Sequence, residues 1–134
     1  MNDILTRSVW TRANHRCEYC HMPAAHYAGF FHVDHILARQ HGGETHLLNL
    51  ALACMHCNRR KGPNIAGSDP ETAEIVRLFD PRRDIWADHF EWYGPDLIGR
   101  TSIGRVTIQV LAINEPDFRA ARAVLRNEAV SEWD

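Results

Sequence analysis

HVDHILARQHGGETHLLNLALACMHCNRRKG, residues 32–62, decides the fold, because two kinds of metal-ligand chemistry are interleaved in it. Near its end lie Cys54 and Cys57, spaced C-x2-C. A second such pair, Cys17 and Cys20, stands upstream in CEYC. Two intervening residues let both thiolates of a pair address one ion, and two pairs complete a tetrahedron around Zn2+. Thiolates are soft donors, which favours zinc over magnesium or calcium. Four of them leave no open coordination position, so the expected zinc is structural. The 33 residues between the pairs exceed the usual zinc-ribbon spacing, so a sizeable unit is inserted between them.

The inserted unit reads as strand, loop, strand and helix. FFHV (30–33) is aromatic and β-branched, and NLALA (49–53) suits a second short strand. ARQHGGETH between them is a polar loop with Gly42-Gly43. Met55 to Lys61 suits a helical turn or two, stopped by Gly62-Pro63. Asp34-His35 then closes the first strand, Asn49 opens the second, and Asn58 lies just past the last thiolate. A hard cation such as Mg2+ prefers oxygen ligands, which Asp34 and the Asn58 amide can supply. Neighbours in a strand point to opposite faces, so a site using both Asp34 and His35 requires the backbone to bend there.

The remaining segments frame that unit. Asn2 or Asp3 can cap a first helix carrying Leu5, Val9 and Ala13. GPNIAGSDPET (62–72) is the expected boundary, dividing residues 1–67 from a C-terminal α/β extension, 68–134, that packs on them. Beyond it, DHFEWY–GPD–LIG predicts a hairpin. Thr101 or Ser102 can cap a helix with Ile103, Val106, Val110 and Leu111 on one side. Glu115-Pro116-Asp117 opens another, with Phe118, Ala121 and Leu125 as its stripe. The expected class is α+β. Trp86, Phe90 and Trp92 could stack on bases, but packing is the simpler use. His32, His41 and His46 read as surface or hydrogen-bonded residues, as does His56, whose ring is expected to point outward. His15, His21 and His26 flank the first cysteine pair without being needed as ligands.

A formal net charge of −2 does not advertise polyanion binding, but it is an average over unlike halves. Residues 1–67 carry seven Lys/Arg against four Asp/Glu, and residues 68–134 eight against thirteen. Any polyanion is therefore expected at the N-terminal half. No apolar run reaches the roughly 20 residues needed to span a bilayer, and MNDILTRSVW lacks the pattern of a secretory signal. A reducing cytoplasm, where cysteines bind metal more often than they pair, is the expected setting.

From Cys17 to Lys61 the chain resembles an HNH endonuclease of the ββα-metal (His-Me finger) type with a zinc knuckle. The likeness runs through Cys17, Cys20, Val33-Asp34-His35, Gly42-Gly43, Asn49-Leu50, Cys54, Cys57-Asn58 and Lys61. More loosely, residues 80–126 resemble the tail of stand-alone members. The resemblance implies that His35 is the general base, that Asp34 and Asn58 hold a catalytic ion, and that Asn49 fastens the loop and helps orient the base. Many members carry histidine where this chain has Asn58; asparagine there shifts the expected ion to Mg2+ or Mn2+. Histidine, with an unperturbed pKa of about 6.5, can take a proton from water at neutral pH. Arg39, Arg59, Arg60 and Lys61 are candidate phosphate contacts. DNA is the implied substrate, with RNA as the alternative. The competing reading is a non-catalytic, zinc-stapled module that binds nucleic acid or protein.

Overall fold

Phe31–His35 (β1) and Leu50–Cys54 (β2) pair antiparallel, with Val33 opposite Leu52 and Asp34 opposite Ala51. They form the centre of a computed structural model that describes residues 1–127. Every residue of β2 is buried, because both of its faces are covered. Leu50 and Leu52 meet Val9 of helix α1 (Asp3–Arg12). Ala51 and Ala53 face the main core, which contains all four cysteines. Asn2 caps α1 by accepting the Leu5 N–H at 2.7 Å. Arg12, in its last turn, donates to the carbonyls of Leu47 and Leu50 at 2.9 and 2.6 Å. Helix α2 (Met55–Lys61) follows β2 without a linker, and Cys54 is its N-cap.

The second half adds two hairpins and two longer helices. Strands β3 (Ala66–Ser68) and β4 (Ile75–Arg77) pair, as do β5 (Phe90–Tyr93) and β6 (Asp96–Gly99), with the short helix α3 (Trp86–His89) leading into β5. Helix α4 (Ser102–Val110) is capped by Thr101, which accepts from Gly104 N at 3.1 Å. Helix α5 (Pro116–Asn127) starts at the expected proline. The class is α+β. The expected boundary, residues 62–72, contains β3, and the expected division after residue 67 falls inside that strand. One buried cluster runs from Cys17 through Phe79, Phe90 and Leu111 to Leu125, joining the two halves. No described helix is long and apolar enough to cross a membrane.

His56 illustrates the junction. Its ring points into the second half rather than to solvent, stacking on Phe118 at 3.9 Å and bonding the Ala112 carbonyl through Nε2 at 2.8 Å. Trp86, Phe90 and Trp92 pack against the same core, with Trp86 stacked on His21 at 3.9 Å.

Candidate metal centre and adjoining cavity

The four thiols converge, their sulfurs all lying within 4.8 Å of one another. Tetrahedral zinc with bonds of about 2.3 Å sets its sulfurs about 3.8 Å apart, and Cys20 Sγ and Cys54 Sγ are 3.8 Å apart. Each pair closes on itself by the same device. Cys20 N–H points at Cys17 Sγ (3.5 Å), and Cys57 N–H at Cys54 Sγ (3.4 Å), contacts that favour the thiolate over the thiol. All four are fully buried. The donor set therefore fits a closed structural zinc.

Beside this centre, Asp34, His35 and Asn58 line one cavity of about 370 Å3, together with Arg39 and Gln40. By strand alternation His35 belongs with Phe31 and Val33, opposite Asp34. The two meet one cavity because β1 ends at His35 and the chain turns, tied by the Ile36 N–H to the Asn49 carbonyl at 2.8 Å. Asn49 fastens that turn with three side-chain hydrogen bonds. It accepts from Leu37 N at 2.8 Å and donates to the carbonyls of Leu37 and Glu44 at 3.0 and 2.9 Å. Gly43 is required in the same loop, since a Cβ there would lie 1.7 Å from the Leu37 carbonyl oxygen. His35 Nε2 pairs with Thr45 Oγ1 at 2.9 Å.

Asp34 is 5% exposed. Burial raises its pKa above the ordinary carboxylate value, against the opposing pull of the Lys61 ammonium and of the Tyr19 hydroxyl. Tyr19 donates to Oδ2 at 2.7 Å, and Lys61 Nζ lies 3.3 Å from Oδ1 and 3.2 Å from Oδ2. A carboxylate offers about four lone-pair sites, so Oδ1 retains one for a cation. With the Asn58 amide on the same cavity, an oxygen-bound divalent ion fits the donors present.

Lys61 is a correction to the sequence reading. It is 1% exposed and bonds the carbonyls of His35 and Ile36, each at 3.1 Å, besides Asp34. It is an internal brace and does not face a phosphate. The remaining cations stay outside. Arg39 is exposed on the cavity rim. Arg59 and Arg60 are exposed on α2, with Arg60 3.9 Å from Glu115. Helical spacing separates them, because Lys61 lies one turn beyond buried Cys57. Tyr19 and Thr45 went unrecognised in the sequence. Only the position of Tyr19 inside CEYC ties it to the site, and nothing marks Thr45.

Residues 17–64 match the HNH endonuclease family. The chain is 24% identical over 107 residues to the Septu protein PtuB of Bacillus thuringiensis, an alignment covering 78% of this chain and 39% of that protein. The chain thus spans about two fifths of this curated relative. No solved structure matches it.

Proposed function

We propose that this chain, whose residues 17–64 form an HNH endonuclease domain, hydrolyses phosphodiester bonds of DNA with a divalent cation held by Asp34 and Asn58. The observation that carries this reading is the single cavity lined by Asp34, His35 and Asn58. Mg2+ or Mn2+ bound there would polarise a phosphate oxygen and stabilise the leaving alkoxide. His35 accepts a proton from the attacking water, and the loop that Asn49 fastens holds His35 in place. Thr45 fixes the ring by its bond to Nε2, which leaves Nδ1 for the water. Tyr19 and Lys61 keep the Asp34 carboxylate oriented at the end of β1. Arg39 at the rim, and Arg59 and Arg60 on α2, supply charge to flanking phosphates.

The test is nicking of supercoiled plasmid by purified protein with Mg2+ or Mn2+. Activity should be blocked by EDTA and abolished in His35→Ala, with zinc content and thermal unfolding unchanged. One observation favours the competing reading of a binding module: Asp34 already carries an ion pair with Lys61. That reading prevails if wild type and His35→Ala bind DNA alike and neither cleaves it under any metal.

A further inference from the structure

A second cavity, also of about 370 Å3, lies against the first and falls in the lower range of small-molecule sites. Their shared wall is one chain thick. His35 and Ala38 line the candidate site, while Ile36 and Leu37 between them line the second cavity. Its apolar surface includes Leu78 and Phe79, 5% and 3% exposed, and Leu37 and Ile65, which stand 38% and 42% exposed at its opening. Two guanidinium groups border it. Arg77 is held by Asp84 through two bonds of 2.7 and 2.8 Å. Arg83 is exposed on a turn closed by the Arg83 and Asp84 N–H groups bonding the Asp80 carbonyl, at 3.0 and 2.9 Å. Asp80 is the carboxylate among the lining residues, and its Oδ1 accepts from Arg82 N at 2.9 Å.

We propose that this cavity receives an unpaired base of the nucleic-acid strand whose phosphate lies at the candidate site, with an adjoining phosphate meeting Arg83. The proposal rests on the nuclease reading and adds its substrate class. An inorganic anion would suit the guanidinium groups but not the aliphatic slot, and a wholly apolar ligand would suit the slot alone. A nucleotide matches both, and its exocyclic amino group can donate to the second oxygen of Asp80. A base inside a continuous duplex is stacked and paired, so only an unpaired or extruded one can enter. Single strands, loops and gaps are therefore the substrates, in preference to intact duplex.

The experiment is fluorescence-anisotropy binding without added divalent ion, using a labelled single strand of about 12 nucleotides and its perfect duplex. Wild type should bind the single strand more tightly. Ile65→Asp should weaken single-strand binding about tenfold and leave duplex binding unchanged. Arg83→Gln should reduce the log–log salt slope for the single strand by about 0.7. Hydrolysis of bis(p-nitrophenyl) phosphate, too small to span both cavities, should stay at the wild-type rate in both variants. Zinc stoichiometry and thermal unfolding check that each variant folds, and both changed side chains are partly or fully exposed. Wild-type affinities in both variants, or equal affinity of wild type for strand and duplex, overturn the proposal. Failure of wild type to hydrolyse any phosphodiester overturns the nuclease reading instead, and the binding result is read independently of it.

Discussion

The two halves of the molecule bury charge for different ends. In the first, Asp34, paired with buried Lys61, lines a cavity that His35 and Asn58 also line. In the second, charges are spent on one another or on the backbone. Asp69 takes two bonds from Arg105, Asp84 two from Arg77, and Asp96 two from Arg119. Arg122, fully buried, donates to the carbonyls of Pro95 and Ile113 and to Asn114 Oδ1. Arg82 reaches back to Glu18 across the junction. Asp69, Glu71, Asp84 and Asp96 are thus paired with arginines of their own half, although the excess of acid over base along that half of the sequence remains. What separates a candidate site from scaffold is whether a buried polar group still faces open space once its partners are counted.

The largest effect should come from breaking the zinc centre. Cys54→Ser removes a zinc ligand while leaving a side chain that can still cap α2, so zinc content should fall to near zero and the cooperative unfolding transition should be lost. Elemental analysis and circular dichroism read both, and full stability without zinc would refute a structural metal.

Next in size is Lys61→Met, which leaves Asp34 buried without its counter-charge and should destabilise by about 3–5 kcal/mol at neutral pH. The sign with pH follows from the raised Asp34 pKa. At neutral pH the folded state must hold an unpaired carboxylate, whereas below about pH 4 the carboxyl is protonated in both states. The deficit relative to wild type should therefore shrink on acidification, measured by urea unfolding across pH. A deficit independent of pH would mean that Lys61 acts only through its carbonyl contacts.

In the scaffold half, Arg122→Met should cost about 2–4 kcal/mol through the orphaned carbonyls, with zinc still bound and no tendency to recover at low pH. The smallest effect is expected at Asp69. Its pKa is pushed down to about 2 by the Arg105 guanidinium and by the Glu71 backbone N–H. Stability from this pair is complete above the unfolded value of about 4 and is lost as pH falls through about 2. In Arg105→Gln the carboxyl resonance of Asp69 should titrate at higher pH, and acid unfolding should begin earlier. An unshifted titration would show that the backbone bond alone holds it.

The sequence disclosed most of the frame because periodicity and spacing are local. The strands around residues 31–35 and 50–54, the helix after Cys54, the β5–β6 hairpin and the helices beginning near Thr101 and Pro116 all follow from short-range pattern. The β3–β4 hairpin did not, since three-residue strands show no alternation and Gly67 sits inside one. That glycine is fixed from elsewhere: a Cβ on it would lie 2.6 Å from Val110 Cγ2 of α4. The same limit applies at the site. Asp34, His35 and Asn58 could be named from their motif, but the inward turn of Lys61 and the bonds of Tyr19 and Thr45 depend on residues 10 to 27 positions away.

Cys54 is the last residue of β2, the cap of α2 and a sulfur of the metal centre. The corner between strand and helix is therefore a weld and not a hinge. Asp34, on the strand paired to one arm, and Asn58, one turn along the other, keep their spacing as two marks on a set square do. Tuning this molecule would come from reshaping what surrounds that rigid angle, since the angle itself has no slack to give.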